Sequence, residues 1–243
     1  MSKTYVIYGV SKGLGQAILH AVPQTQDLVF GISRSQPQCD LVHFKWISAD
    51  LSKPEHARDL VKNQIQNQPI DYLIYNVGIW ETKAFQADYD FEQCTDIEIS
   101  NLIHTNIQSC ILAIQSLIEN LRLSPNAKII LIGSTWGLDN HNGKEVVFSA
   151  SKFALRGIVH SLRESLRKDQ IGVSILNLGY LATEFDLDTS VDEVLQQSGH
   201  ELIPLQDVIL AIKFILSTSQ ASCVKEINMP AMADLNLSKN PFF

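Results

Sequence analysis

The chain has 243 residues, a length that suits one large domain or two small ones. Hydrophobic residues make up 45% and charged residues 19%, which excludes a disordered or fibrous chain. Lysine and arginine number 19 against 26 aspartates and glutamates, so the net charge is −7 and no basic excess is left for a nucleic-acid backbone. The longest apolar runs fall well short of the roughly 20 residues that a membrane helix needs. We therefore expect a globular protein that binds neither nucleic acid nor membrane.

Seven short apolar runs predict β-strands that are covered on both faces. In chain order they are Thr4–Tyr8, Leu28–Ile32, Leu41–Ile47, Ile70–Tyr75, Lys128–Ile132, Val173–Leu178 and Glu226–Met229. The helical patterns between them are Leu14–Val22, Pro54–Asn67, Phe91–Leu121, Phe153–Leu166 and Leu205–Leu216. Ser52 is a plausible N-cap for the second of these helices. The alternation predicts an α/β fold over 1–243: a single-domain, Rossmann-like, doubly wound parallel sheet with helices on both faces.

The least regular segment is Glu184–Gly199, which is acidic and comes late in the chain. One interpretation is a solvated loop with a short helix. The other is a mobile substrate flap over a site, spanning 184–200, because long loops in compact folds are often functional. Composition alone leaves both interpretations open.

Cysteines and histidines show no pattern of paired ligands. Cys39, Cys94, Cys110 and Cys223 lie far apart, which indicates reduced thiols rather than disulfides or a zinc site. The seven histidines have no ligand spacing either, so we expect no metal. The first strand-like run begins at Thr4, and we therefore expect no signal peptide and a cytoplasmic location.

A glycine-rich loop connects the first predicted strand to the first helix. It reads Gly9-Val-Ser-Lys-Gly13-Leu-Gly15. The N-terminus of a helix presents free N–H groups and the positive end of its dipole, which together hold a pyrophosphate. Glycines there let the phosphates approach the backbone closely. The loop predicts cofactor contacts at a set of consecutive positions: Gly9, Ser11, Lys12, Gly13, Leu14 and Gly15.

The end of the second strand predicts the type of dinucleotide. It reads Gly31-Ile-Ser33-Arg34-Ser35, at the place that faces the adenosine ribose in a dinucleotide-binding fold. An acidic residue there pairs with a free 2′-hydroxyl, whereas an arginine suits a 2′-phosphate. Ser33 and Arg34, with Lys12 in the glycine loop, favour NADP over NAD.

The Gly-x-x-x-Gly-x-Gly spacing resembles that of the short-chain dehydrogenase/reductase family, and further motifs resemble it in order over about residues 3–230. The family's adenine-contacting Asp matches Asp50-Leu51, and its Asn-Ala-Gly element matches Asn76-Val-Gly78. Its Pro-Gly-x-x-x-Thr segment, which closes over the nicotinamide, matches Leu178 to Thr183, with leucine in place of proline. The resemblance therefore implies cofactor contacts at a second set of positions: Asp50, Leu51, Asn76, Gly78, Lys152, Gly179 and Thr183.

The resemblance also implies a catalytic group with one departure. Ser134 matches the catalytic serine, Asn106 the structural and catalytic asparagine, and Lys152 the catalytic lysine. The family's Tyr-x-x-x-Lys signature reads Phe148-Ser-Ala-Ser-Lys152 here. In the family, that tyrosine exchanges a proton with the substrate oxygen, and the lysine lowers the tyrosine pKa and holds the nicotinamide ribose. Phe148 keeps the ring and lacks the acid.

Three explanations for Phe148 remain open at the level of sequence. No tyrosine lies between Trp136 and Tyr180, and Lys152 fixes the register, so a shifted alignment does not account for it. The residue is a laboratory substitution of a native tyrosine, or it is natural and Tyr180, water or another group donates the proton. Alternatively, the protein performs different chemistry on a scaffold that still binds NADP.

The resemblance implies an NADP(H)-dependent oxidoreductase that interconverts a carbonyl and an alcohol on a small molecule. Trp80, Trp136 and Tyr180 follow strands four, five and six, where they are expected to line the substrate pocket. The alternative is a catalytically silent or non-redox NADP-binding protein on the same fold. The helical runs Leu102–Leu121 and Phe153–Leu166 are apolar over a wide face, and the resemblance implies that they pair in a homodimer or homotetramer.

Overall fold

A seven-stranded parallel sheet forms the centre of the molecule. The computed structural model describes residues 2–139 and 141–233. The strands are β1 (Thr4–Tyr8), β2 (Leu28–Ser33), β3 (Phe44–Ser48), β4 (Tyr72–Tyr75), β5 (Lys128–Ile132), β6 (Gly172–Leu178) and β7 (Glu226–Met229). Their order is β3-β2-β1-β4-β5-β6-β7, and each neighbouring pair is parallel. The predicted fold class is confirmed.

Helices cover both faces of this sheet. They are α1 (Gly13–Ala21), α2 (Pro54–Ile65), α3 (Asp96–Ile103), α4 (Ser109–Arg122), α5 (Val146–Ser165), α6 (Val191–Ser198) and α7 (Leu205–Ser217). A π-helical segment, His104–Gln108, joins α3 to α4, and short 3-10 turns occupy Phe91–Gln93 and Thr135–Gly137. Among the described residues, no helix is long and apolar enough to span a membrane.

Two apolar cores hold the layers together, one on each face of the sheet. Successive side chains of a strand point to opposite faces. Val6 and Tyr8 accordingly join the core under α2, α4 and α5, whereas Tyr5 and Ile7 join the core under α1 and α7. Every residue of β1 is buried. This double burial explains why the strands have continuous apolar sequences rather than alternating ones.

The strand order reverses between β1 and β4, since the chain runs outward to β3 on one side and to β7 on the other. At such a switch point the loops after the two strands diverge and leave a crevice at the carboxyl ends. The glycine loop follows β1, and Asn76 follows β4. The topology therefore brings these two predicted motifs to the same crevice.

Three predicted boundaries were wrong for local reasons. β3 begins at Phe44 rather than Leu41, because the Phe44 N–H closes a turn onto the Leu41 carbonyl. The predicted helix Phe91–Leu121 is interrupted after its first turn, and α3 starts anew with Thr95 as its N-cap. Ser52 does not cap α2, because its hydroxyl donates to Asp50 Oδ1.

The helix predicted over Phe153–Leu166 begins seven residues earlier, at Val146. Its first turn is stabilised by Glu81, a residue distant in sequence whose carboxylate accepts hydrogen bonds from the N–H groups of Val147 and Phe148. A local helical pattern contains no information about such a partner. As a result, Phe148 and Lys152 both lie within one continuous helix.

The acidic segment contains the short helix α6, which agrees with the first of its two interpretations. Gln206 at the start of α7 donates to the carbonyls of Leu187 and Thr189 and so ties the segment to the body of the domain. No residue of 184–200 lines the crevice described below. Closure of this segment over the site stays a prediction.

Candidate active site

A cleft of about 880 Å³ runs along the carboxyl ends of the central strands. It brings together all but two of the residues that the sequence assigned to the cofactor, the reaction or the substrate. Those lining it are Gly9, Ser11, Lys12, Gly13, Leu14, Ser33, Arg34, Asp50, Leu51, Asn76, Gly78, Trp80, Ser134, Trp136, Phe148, Lys152, Gly179, Tyr180 and Thr183. The two exceptions, Gly15 and Asn106, lie behind the wall.

The glycine loop forms one end of the cleft and is packed too tightly for side chains at two positions. Gly9 has φ +82°, and a Cβ there would lie 2.0 Å from the Asn76 carbonyl oxygen. A Cβ on Gly15 would lie 1.8 Å from the Gly9 carbonyl oxygen, so glycine lets α1 approach β1. No side chain caps the N-terminus of α1, and its first turn contains no acidic residue. The free N–H groups and dipole of α1 thus suit a pyrophosphate.

Two cations line the cleft beside this loop. Lys12 and Arg34 are both exposed, and neither forms a salt bridge with any described residue. Asp50, after β3, accepts hydrogen bonds at Oδ1 from the Ser52 hydroxyl at 2.8 Å and its N–H at 3.1 Å. Burial opposes the charged form of Asp50, but these hydrogen bonds outweigh it and hold its pKa below the usual value.

Asn106 positions the loop after β4 rather than touching the cleft. It is fully buried in the π-helical segment. Its Oδ1 accepts from the Ile79 N–H at 2.9 Å, and its Nδ2 donates to the Ile79 carbonyl at 2.7 Å and to Ser151 Oγ at 3.0 Å. Asn106 therefore ties the cleft wall to the helix that carries Lys152, and its catalytic role stays a prediction. π-helical segments often occur at functional sites.

Ser134 and Lys152 both line the cleft. Ser134 Oγ accepts from the Trp136 N–H at 3.2 Å, which leaves its own proton available to donate. Lys152 Nζ donates to the Ile132 carbonyl at 3.3 Å and lies 5.4 Å from the centre of the Phe148 ring. Burial lowers the pKa of Lys152 to about 8, because the low-dielectric interior disfavours the ammonium.

Phe85 is the aromatic residue of the site that sequence reasoning missed. Its ring packs edge-on against Trp80, Trp136, Phe148 and Tyr180, with centroid distances between 5.6 and 5.9 Å. Its φ of +67° is rare for a large side chain, and such backbone strain often occurs at functional sites. Its place in the same loop as Trp80 was the available signal. We call these five residues the aromatic cluster.

Two buried carboxylates support the aromatic cluster and were also missed. Glu81 Oε1 accepts from the N–H groups of Val147 and Phe148, and its Oε2 is buried without a hydrogen-bond partner. Glu145 accepts from the Phe85 N–H at 2.9 Å and from Trp136 Nε1 at 2.7 Å. Despite burial, these hydrogen bonds lower the pKa of Glu145. An acidic residue immediately before a helix was the only sequence signal for Glu145.

One cleft thus combines the glycine loop, two exposed cations, a serine, a lysine and the aromatic cluster. Within the described residues, no group of His, Cys, Asp or Glu is arranged to hold a metal ion. The sequence profile of the short chain dehydrogenase family matches residues 3–193. The chain therefore belongs to the short-chain dehydrogenase/reductase family, whose members are oxidoreductases that bind a nicotinamide cofactor.

Curated relatives are reductases and dehydrogenases of similar length. Carbonyl reductase family member 4 of Xenopus tropicalis is 26% identical over 230 residues, which cover 90% of this chain and 92% of the relative. The 3-oxoacyl-[acyl-carrier-protein] reductase MabA of Mycobacterium tuberculosis is 23% identical over 251 residues, covering 95% and 91%. At this identity the relatives support the class of reaction and leave the substrate open.

Solved structures share the fold. A short chain dehydrogenase family protein from Francisella tularensis has a TM-score of 0.74 at 25% identity, covering 94% of this chain and 97% of that one. RhlG of Pseudomonas aeruginosa, crystallised with NADP, has a TM-score of 0.77 at 20% identity, covering 96% of each. A short chain dehydrogenase from Leptospira borgpetersenii with bound NAD+ reaches 0.76 at 19%, covering 97% and 94%.

Proposed function

We propose that this protein is an NADP(H)-dependent oxidoreductase that interconverts a carbonyl and an alcohol on a small molecule, with its proton-transfer step weakened by Phe148. The observation that carries the proposal is the single cleft in which the glycine loop, Arg34, Ser134 and Lys152 meet. Membership of the family supports a nicotinamide cofactor. The residues at the two ends of the cleft support the finer assignments, which are NADP as the cofactor and a carbonyl or alcohol as the substrate.

The preference for NADP rests on charge. Lys12 and Arg34 line the ribose end of the cleft without a salt-bridge partner among the described residues. Two unpaired cations suit a 2′-phosphate, and a charge-assisted hydrogen bond contributes about 1.5–3 kcal/mol. No acidic residue stands at the end of β2 to pair with a free 2′-hydroxyl. Asp50, which is further along the wall, already accepts two hydrogen bonds from Ser52.

Each residue at the centre of the cleft has a role that follows from its bonding. A nicotinamide cofactor held in this cleft would supply or accept the hydride. The Ser134 hydroxyl donates its free proton to the substrate oxygen and so polarises the carbonyl. Lys152 offers N–H donors to the nicotinamide ribose. A Cβ at position 78 would lie 3.1 Å from Lys152 Nζ, so glycine at this position keeps the ammonium accessible.

Phe148 occupies the place of the proton donor. Its ring has no titratable group, so the proton that completes an alcohol must come from water, from Tyr180 or from Lys152. Positioned proton transfer contributes about 10²–10⁴-fold to a rate, and we expect slow turnover for this reason. A silent NADP-binding protein is the second candidate, and the same absence of an acid favours it.

The pocket, the assembly and the location complete the proposal. Trp80, Trp136 and Tyr180 offer a mostly apolar surface, which fits a substrate with an aromatic or aliphatic body.

Exposed apolar side chains on α4 and α5, such as Ile111 and Phe153, support pairing of these helices in a symmetric homodimer or homotetramer. Light scattering that gives a monomer mass at micromolar concentration would contradict the pairing. Four unpaired cysteines support a cytoplasmic location.

The test is calorimetric titration with NADPH and NADH, followed by a panel of aldehydes and ketones with the preferred cofactor. We expect NADPH to bind at least about tenfold more tightly than NADH. We also expect slow NADPH oxidation that matches alcohol formation and is lost in Ser134→Ala. Equal affinities would contradict the cofactor assignment. NADPH binding with no turnover on any carbonyl, in this protein and in Phe148→Tyr, would favour the silent alternative.

A further inference from the structure

A second cavity, of about 220 Å³, lies on the opposite edge of the sheet from the cleft. Its wall includes Lys128 and Gly172, the first residues of β5 and β6, so it opens at the amino ends of the strands. Four cationic residues line it and no aspartate or glutamate does: Lys128, Arg163, Arg167 and Lys225. In a chain with net charge −7, such a concentration of positive charge requires an explanation.

The deepest of the four cations has no carboxylate partner among the described residues. Lys128 is only 4% exposed. Its Nζ donates to the carbonyl oxygen of Thr218 at 2.7 Å and to the Thr218 hydroxyl, both of which are neutral. Burial lowers the pKa of Lys128. Buried charges are normally paired with an opposite charge, so this ammonium lacks its usual compensation.

Arg163 repeats this arrangement on the neighbouring wall. Its Nε donates to the Val173 carbonyl at 2.9 Å, and a terminal guanidinium nitrogen donates to the Lys225 carbonyl. These acceptors are neutral too, and burial lowers the pKa of Arg163. In contrast, Arg167 at the rim is exposed and bonded to the Glu164 carboxylate. Glu226 acts on Arg163 and Glu164 acts on Lys225, so among these lining cations Lys128 is the one that no described carboxylate compensates.

We propose that this cavity binds a phosphate group, either as inorganic phosphate or as the phosphate of a small monoester. A dianion would supply the negative charge that Lys128 lacks, and the guanidinium of Arg163 on the neighbouring wall would be a second ligand. Guanidinium and ammonium groups are the usual protein ligands of phosphate. The volume is below the roughly 300–1,000 Å³ of sites for drug-sized ligands, so the bound group is small. The site is separate from the cofactor cleft and does not depend on the proposed reaction.

Cys223 provides a local probe of occupancy. Its thiol lines the cavity and is exposed, and Sγ lies 3.6 Å from the Val173 carbonyl to which Arg163 also donates. A bound phosphate would cover the thiol and so block its access to an alkylating reagent. The rate of iodoacetamide alkylation at Cys223 can be followed by peptide mass spectrometry. Cys39 and Cys94, which lie outside the cavity, serve as references within the same sample.

The experiment compares inorganic phosphate and glycerol phosphate with chloride at equal ionic strength. We expect saturable slowing of alkylation at Cys223 and no change at Cys39 or Cys94. Stronger protection by the ester identifies a phosphorylated metabolite as the ligand. Stronger protection by inorganic phosphate identifies the free ion. No protection by either compound beyond that of chloride would overturn the proposal.

Variants locate the effect in the cavity. Lys225→Gln removes an exposed cation, and Arg163→Gln removes a half-buried one. Each should raise the half-protecting phosphate concentration about tenfold, on the strength of one charge-assisted contact. Lys168→Gln is the matched control, because it removes the same charge from an exposed neighbour that does not line the cavity. Equal protection in Lys225→Gln, Lys168→Gln and the unmodified protein would contradict the site, even if Arg163→Gln fails to fold.

Discussion

The two ends of the cleft are built in different ways. At the cofactor end, backbone geometry dominates: glycines between β1 and α1, a free helix N-terminus and unpaired surface cations. At the substrate end, side chains from distant loops dominate: five packed aromatic rings held by the buried carboxylates of Glu81 and Glu145. The first end resembles the family motifs at its glycines and at Asn76, whereas the second has Phe148 at the position that resembles the family tyrosine. We therefore predict that binding of the cofactor and transfer of the proton are separable in this chain.

The largest expected effect is at the substrate end. Phe148→Tyr should raise kcat for carbonyl reduction at least about a hundredfold, because it restores a proton donor on the same helix face as Lys152. Steady-state NADPH oxidation measures it. Phe153→Tyr is the matched control, since it adds the same hydroxyl to α5 at a position outside the cleft.

Two results would contradict this prediction. If the unmodified protein already turns over at ordinary enzyme rates, another group is the acid, and Tyr180→Phe then identifies or excludes Tyr180. If Phe148→Tyr gains nothing while NADPH still binds, the silent alternative takes precedence.

The buried ammonium of Lys152, between the two ends of the cleft, should make the free energy of unfolding depend on pH. Lys152 has a pKa of about 8 in the fold against 10.5 when unfolded. Between these values the unfolded chain binds more protons, so this group makes stability rise as pH increases from about 8 to 10.5. Below about 8 both states hold the proton, and the contribution of this group no longer changes with pH. At about 1.4 kcal/mol per unit, the contribution is about 3 kcal/mol. Urea unfolding of the cofactor-free protein should give a free energy of unfolding that rises between about pH 8 and 10.5 more steeply than that of Lys152→Met. Parallel pH profiles of the two proteins would contradict the prediction.

At the cofactor end, Arg34→Asp should reverse the preference between the two cofactors. It removes the partner of the 2′-phosphate and introduces an acceptor for a free 2′-hydroxyl. We expect NADPH affinity to fall roughly ten- to a hundredfold and NADH affinity to rise, as measured by calorimetry. Lys53→Asp makes the same charge change at an exposed position outside the cleft and should leave the preference intact. A similar loss of NADPH affinity in both variants would show that the overall charge of the protein, and not a specific contact of Arg34, determines the affinity.

A smaller effect is expected where the aromatic cluster is anchored. In Glu145→Gln an amide N–H₂ replaces one oxygen that accepts from Phe85 N–H or Trp136 Nε1. The loss of a charge-assisted acceptor should lower the free energy of unfolding by about 1.5 kcal/mol and change the near-ultraviolet circular dichroism of the tryptophans. Glu184→Gln, at an exposed site, should change neither. An unchanged spectrum in Glu145→Gln would show that Glu145 does not order the cluster.

The same contrast explains what could be predicted from the sequence. The strands, their alternation with helices and the glycine loop depend on local pattern, and nearly all of the assigned site residues line one cleft. Phe85, Glu81 and Glu145 depend on contacts between residues far apart in the chain, such as the 66 positions that separate Glu81 from Val147. Those contacts also set the start of α5, which the helical pattern placed too late. The bonds of Asn106 to Ile79 show the structural part of its predicted role, and the catalytic part stays a prediction.

The most direct test of the separation between the two ends is the NADPH affinity of Phe148→Tyr beside that of the unmodified protein. Calorimetric titration of both forms in one buffer gives the two Kd values. Because the glycine loop, Arg34 and Lys152 are unchanged, we predict Kd values within a few-fold of each other while kcat differs by about two orders of magnitude. If Phe148→Tyr raises the affinity for NADPH by as large a factor as it raises kcat, Phe148 also weakens cofactor binding. That result would contradict the separation between the two ends.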